Sequence, residues 1–253
     1  MQHCFIPIED ITAKPYRDIL TYPRCDEGLA LFRMSKLRMM GITGLCFCGD
    51  TRVGRLFVLG KGHAGLVVLA RTEKESVAVK IRRLDSRRDG LSEEARLLRA
   101  ANQAGVGPRL HSYSEDFLIM EFLEGEGIGQ WVKSLGGRGA AAAFRRTARQ
   151  ILEDCFELDQ IGLDHGELSR IPKHAIISES RATIVDFESA SMSRRTANVT
   201  SATQGIFIGP AISKRARRVC KIPTPDDIIG ALRIYKEERT RESFDHLLST
   251  LRI

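Results

Sequence analysis

Apolar and polar positions change rhythm twice along the chain. Leu29, Phe32, Leu37 and Met40 recur at helical spacing, with Asp26 placed to cap the first turn and Gly41 to end the helix. Leu45 and Phe47, interleaved with Cys46 and Cys48, then read as a strand. After Gly54 the apolar runs become short: residues 55–59, 66–70 and 77–81 predict strands, the first two joined by a glycine-rich turn. Residues 91–104 predict a helix ended near Gly105, and 117–122 a further strand. Beyond Leu123 the pattern is mainly helical. A glycine turn passes into alanines over 136–143, and Phe144, Ile151, Leu152 and Phe156 carry the helix onward. Loops are expected around 162–175 and 186–192. A sheet-rich first half with one helix, followed by a helix-rich second half, predicts an α+β, two-lobed chain. Its parts are an N-terminal extension over 1–53, a sheet-rich lobe over 54–123 on which that extension packs, and a helical lobe over 124–253.

Composition narrows the class. At 253 residues, 43% hydrophobic and 28% charged, the chain has what a globular core needs. No apolar run reaches bilayer length, and the N-terminus lacks the basic start and apolar stretch of a secretory signal, so a cytoplasmic protein without membrane contact is expected. For the same reason the sequon at Asn198 is set aside. The six cysteines, Cys4, Cys25, Cys46, Cys48, Cys155 and Cys220, show no C-x-x-C spacing and read as reduced thiols. A net charge of +7 favours polyanionic partners.

Six segments then carry chemistry. Gly60, Gly62 and Gly65 form G-x-G-x-x-G, in which glycines let the backbone approach phosphates. The segment leads into a strand rather than a helix, and no Gly-Lys-Ser/Thr closes it, so neither a dinucleotide fingerprint nor a Walker loop fits. Downstream, Val77-Ala78-Val79-Lys80 places Ala78 and Lys80 on one strand face, where a small residue admits adenine and an ammonium reaches phosphates. Glu94 rather than Glu93 is expected to pair with Lys80, because Leu91, Ala95 and Leu98 mark the inward face of its helix. The strand through Glu121 to Leu123 enters a linker whose main-chain groups would bond the adenine edge. Glu167, in Asp164-His165-Gly166-Glu167, and Asp186, in Val185-Asp186-Phe187-Glu188, then supply two acids: one to position a hydroxyl, one for Mg²⁺.

Taken in this order, residues 59–187 resemble the protein-kinase-like superfamily, in particular its small atypical RIO and Bud-type branch. The segments around His165, His174 and Asp186 are most similar to the archaeal RNA kinase family. The resemblance implies a kinase fold with a reduced helical lobe, ATP and Mg²⁺ as cofactors, and a tRNA ribose 2′-hydroxyl as acceptor. It makes Gly60, Gly62, Gly65, Lys80, Glu94, Glu121 and Leu123 the nucleotide residues. Glu167, Lys80, Asp186 and His174 become the catalytic set, with Asp186 and His174 toward metal. There are departures. Glu167 stands where an aspartate is usual, His174 where an asparagine is, and Glu188 where a glycine is. No Ala-Pro-Glu segment follows Asp186, which argues against an extended peptide acceptor. Basic residues follow instead: Arg194, Arg195, Lys214, Arg215, Arg217 and Arg218 are expected to meet RNA, with Arg145, Arg146 and Arg149 as a further set. A RIO-like Ser/Thr protein kinase and a non-catalytic nucleotide- or RNA-binding module are the alternatives.

Overall fold

In the computed structural model, residues 4–179 and 181–253 are described. They separate into two compact units, one running to Arg99 and including Pro108–Leu123, the other made of Ala100–Gly107 and Glu124–Ile253.

The first unit contains β1 (Ile6–Pro7), α1 (Glu27–Met39), β2 (Gly44–Cys46), β3 (Thr51–Val53), β4 (Leu56–Val58), β5 (Gly60–Lys61), β6 (Gly65–Arg71), β7 (Ser76–Arg82), the first turns of α2 (Ser92–Gln103), β8 (Leu110–Tyr113) and β9 (Phe117–Glu121). Seven strands form one antiparallel sheet in the order β1-β2-β6-β7-β9-β8, with β5 also paired to β6. Almost every residue of β6 and β7 is buried, which explains their continuous apolar runs: both faces of these central strands are covered. Val77, Val79, Ile81, Val68 and Phe117 pack with Ile8, Ile19, Leu20 and Leu37 in one core. Residues 4–53 therefore supply the cover for one sheet face and share the sheet through β1 and β2. Alternation leaves Ala78 and Lys80 on the opposite face.

Two expectations shift. The predicted strand at 55–59 forms as β4 but pairs with β3 across a two-residue turn at Gly54 and Arg55, and the next residues, β5, join β6. Gly54 has a φ of 61°, which suits the first central position of such a hairpin. Helix α1 keeps its Asp26 cap, whose carboxylate accepts from the Leu29 N–H at 2.9 Å, but turns a different face inward. Ala30, Arg33 and Leu37 are buried, while Phe32 is 61% exposed. Arg33 can occupy the buried position because its guanidinium donates to Leu20 O (2.6 Å), Arg82 O (3.0 Å) and Asp116 Oδ1 (2.5 Å). Burial pushes the Asp116 carboxyl up, yet Arg33 and Lys36 together hold it below the ordinary carboxylate range.

The second unit contains β10 (Glu126–Gly127), α3 (Ile128–Ser134), α4 (Ala140–Gln160), β11 (Ala175–Ile177), β12 (Ala182–Ile184), α5 (Asn198–Thr203), α6 (Pro210–Val219), α7 (Pro225–Glu238) and α8 (Arg241–Leu251). The three strands make a small antiparallel sheet in the order β10-β11-β12. Helix α4 runs through the core, burying Phe144, Ala148, Ile151, Leu152, Cys155 and Leu158. Phe144 meets Phe207 edge-on at 6.0 Å, and Phe156 stacks on Phe244 at 4.6 Å. Capping boxes start α7 at Thr224 with Asp227 and α8 at Thr240 with Ser243. Among the described residues no helix is long and apolar enough to cross a membrane.

Candidate active site

In the first unit the glycine-rich segment is the tip of a hairpin. Gly60 pairs with Val67 and Lys61 with Leu66, and the Gly62 N–H donates to Gly65 O at 2.8 Å. Gly65 is required by packing: a Cβ there would come 2.8 Å from Lys80 Cγ and 2.9 Å from Ile81 O. Its absence lets the Lys80 stem lie flat against β6. Gly60 has no such neighbour; a Cβ would find only Val67 at 3.9 Å.

Lys80 sits mid-sheet, in register with Val67 and Leu118. It is 3% exposed, and its Nζ donates to Glu94 Oε1 at 2.8 Å. Glu94 is itself buried, whereas Glu93 turns outward to Arg96 at 2.7 Å. The structure thus brings Lys80 together with Glu94. Ala78 lies two residues before Lys80 on the same face, in register with Met120. At the end of β9 the Glu121 N–H donates to Arg109 O (2.8 Å) and its carboxylate accepts from the Arg109 N–H (3.0 Å); Leu123 is the last residue of the unit.

In the second unit Glu167, His174 and the loop after Asp186 converge. Glu167 Oε1 accepts from Ser189 Oγ at 2.6 Å. Its Oε2 lies 3.3 Å from His174 Nε2, an ion-pair distance without hydrogen-bond alignment. The Ser189 hydroxyl holds the Glu167 carboxyl below its ordinary range, against the opposing effect of burial. His174, 4% exposed, places its ring beside the Glu167 carboxylate.

Several residues around Glu167 and Asp186 fix this geometry. Gly166 has a φ of 87°, and a Cβ on it would fall 2.7 Å from Ser189 O and 2.5 Å from the Arg194 guanidinium. Asp164 exchanges main-chain hydrogen bonds with Ser191 (2.9 and 2.8 Å), and its carboxylate takes the Arg194 Nε at 2.9 Å and the Ala197 N–H at 3.1 Å. His165 is fully buried; its Nε2 donates to Val185 O at 3.1 Å, and burial depresses its pKa to about 4, so it is neutral near pH 7. The His165 N–H donates to Asn198 Oδ1 at 2.8 Å. The Asn198 amide in turn reaches Asp159 Oδ1 (2.8 Å) and Leu163 O (2.7 Å), and Tyr235 OH donates to Asp159 Oδ2 at 2.9 Å. The asparagine that reads as a sequon is a buried fastener of the loop.

Asp186 is exposed and adopts φ 69°, ψ 77°. Among the described non-glycine residues only Arg239 and Arg252 share a positive φ, and both are helix C-caps. Asp186 is not, so its strain, on the order of 1 kcal/mol, marks a position held by its surroundings.

The basic residues divide. Arg194 is committed to Asp164 and to Ser189 O (2.6 Å), and Arg195 donates to Lys236 O (3.2 Å). Lys214, Arg215, Arg217 and Arg218 lie on α6. Three of them, with Lys133, line a shallow cleft of about 300 Å³. Among the described residues no acidic side chain forms an ion pair with the α6 cations.

Among the described residues no three His, Cys, Asp or Glu side chains gather closely enough to hold a metal by themselves. All six cysteines are free, and burial together with Cys48 pushes the Cys46 thiol up to about 12. No protein-family model matches the chain, and no curated protein matches it.

Proposed function

We propose that the chain is an ATP-dependent phosphotransferase of protein-kinase-like type, using Mg²⁺ and transferring phosphate to a ribose 2′-hydroxyl of tRNA. The observation that carries this reading is the buried Lys80–Glu94 pair beside a glycine at position 65. A buried ion pair is a poor stabilising device, because desolvating two charges offsets most of their attraction. Its use lies in holding an ammonium in a fixed place, next to a glycine hairpin able to admit phosphates.

In this reading Gly60, Gly62 and Gly65 cover the nucleotide phosphates, and Lys80 binds them with Glu94 fixing its position. The main chain at Glu121 and Leu123 meets adenine. Glu167 orients the acceptor hydroxyl and takes its proton; Ser189 keeps this carboxylate ionised and His174 faces its second oxygen. Mg²⁺ typically takes one or two protein carboxylates and completes its shell with phosphate and water, so Asp186 and Glu188 fit it without a preformed cluster. When bound, Mg²⁺ would neutralise charge on the transferred phosphoryl group. The α6 cations suit an RNA backbone.

The test is incubation of the protein with γ-labelled ATP and total tRNA beside generic protein acceptors. Label is expected in tRNA, dependent on Mg²⁺, and strongly reduced in folded Lys80→Ala and Asp186→Asn. Label in protein alone would reassign the acceptor, and no label in either would end the catalytic reading.

A further inference from the structure

The N-terminal segment touches the glycine hairpin at one side chain. Tyr22, half-buried after a 3₁₀ turn at Arg17–Thr21, accepts a hydrogen bond from Lys61 Nζ at 2.6 Å on its phenol oxygen. The Arg83 guanidinium lies against the same ring, 5.3 Å from its centroid. Arg83 also holds the hairpin from the other side: its side chain donates to Gly62 O at 2.9 Å and its N–H to Ala64 O at 2.8 Å. Asp85 fixes Arg83 through two hydrogen bonds, 2.9 and 2.7 Å, and the Leu84 N–H donates to Tyr22 O at 2.9 Å. Three positions of the turn, Lys61, Gly62 and Ala64, are thereby tied to Tyr22 or to the residue that stacks on it.

Such a lattice is not needed to make a hairpin, since the Gly62–Gly65 bond already closes the turn. It answers a different difficulty. Glycines have the largest conformational freedom to lose, so a glycine-rich loop that must aim its amides at phosphates bears an ordering cost on binding unless it is ordered beforehand. Holding a neighbouring side chain and two carbonyls from outside the turn removes that freedom without engaging any further main-chain N–H of the turn.

We propose that Tyr22 is a positioning residue that pre-orders the glycine turn, so that the N-terminal segment sets the affinity for the nucleotide's phosphates. This rests on the nucleotide reading of the turn. Tyr22→Phe keeps the ring and its contact with Arg83 but removes the oxygen that Lys61 reaches. Tyr22→Leu keeps apolar bulk and removes both the phenol oxygen and the ring over which Arg83 and the Lys61 ammonium lie, the latter 4.8 Å from its centroid. Two quantities are read on the full chain: hydrogen exchange of the Gly62 amide without nucleotide, and KM and kcat for ATP.

Tyr22→Phe is expected to speed Gly62 exchange and raise KM about threefold, the loss of one hydrogen bond to a charged group at a partly exposed site. Tyr22→Leu should raise KM about tenfold. kcat should stay within about twofold in both, since the transferring groups are untouched. A merely structural role would instead lower the unfolding midpoint and reduce active protein without changing KM. Should Tyr22→Leu fail to fold, Tyr22→Phe decides alone. Unchanged exchange, or faster exchange with an unchanged KM, overturns the inference. A wild-type protein that binds no Mg·ATP overturns the nucleotide reading, and this inference with it; a wild type that binds, with unaltered variants, overturns only the role of Tyr22.

Discussion

The two oxygens of Glu167 have different partners, and this separates two properties of one side chain. Ser189 donates to Oε1 and keeps the carboxyl ionised to lower pH than an ordinary glutamate. Glu167→Gln should therefore leave ATP and tRNA affinity nearly normal while lowering single-turnover transfer by about 10²- to 10⁴-fold; full activity would place the acid elsewhere. Ser189→Ala should act on pH instead. With its donor gone, the Glu167 carboxyl returns toward its ordinary range, so activity lost on acidification is lost at higher pH than in wild type. A pH–rate profile with an unmoved acid limb would remove Ser189 from that role. Gly166 makes a purely steric prediction. Arg194 could swing away from a new Cβ, but Ser189 O is main chain and the φ of 87° disfavours any side chain. Gly166→Ala should cost about 1–3 kcal/mol, read from the denaturant midpoint; an unchanged midpoint would show that the loop relaxes freely.

Helix α6 is unusual among the elements because its charges have one sign and no ion-pair partner among the described residues. Lys214 and Arg218 are four apart, a like-charge spacing that disfavours an isolated helix by about 0.2–0.5 kcal/mol. The helix is held by burial of Ile212, Ser213 and Ala216, and its cations have no acidic partner among the described residues, though Arg215 donates to Lys133 O at 3.1 Å. Changing Lys214, Arg215, Arg217 and Arg218 together to glutamine should weaken tRNA binding and flatten its salt dependence. Each lost phosphate contact should reduce the log–log slope by about 0.7 to 0.9. Unaltered slope and affinity would make this surface a solvated face only.

For the stability of the second unit as a whole, two buried groups titrate in opposition. Burial raises the Asp154 carboxyl from 3.8 to about 6, with Arg181 only partly offsetting it. Between those values the folded chain keeps a proton that the unfolded chain releases, so this group's contribution to stability falls as pH rises through the window. His165 does the reverse. Its pKa drops from 6.5 to about 4, the unfolded chain binds the proton first, and stability is lost as pH falls through that range. The two slopes largely cancel between about pH 4 and about pH 6. Asp154→Asn should uncover the His165 slope: the variant should lose stability steadily on acidification across this window, where wild type changes little. Urea midpoints measured across it check this, and parallel curves would refute the opposition.

Much of this protein was legible because the relevant physics is local. Strand runs at β6 and β7, the hairpin rather than helix after Gly65, the shared face of Ala78 and Lys80, and the inward turn of Glu94 over Glu93 all follow from periodicity within a few residues. The Asp26 cap and the alanine start of α4 are signals of the same kind. What local pattern could not supply was any position whose partners come from distant parts of the chain. Arg33 reads as a solvent-facing cation until Leu20, Arg82 and Asp116 surround it. Ser189, Asn198 and Asp164 are ordinary polar residues until the loop carrying Glu167 closes on them. Arg194 and the α6 cations are alike as sequence, yet the first is engaged by Asp164, while Lys214, Arg217 and Arg218 are exposed. Periodicity determined most of the helices and strands and, for β6, β7 and α2, the face each presents, but for α1 it named the wrong face, because Arg33 is buried by partners from distant parts of the chain. The desolvation of a charge, the satisfaction of a buried amide and the strain at Asp186 depend on what folding brings alongside, and only the tertiary structure decided them.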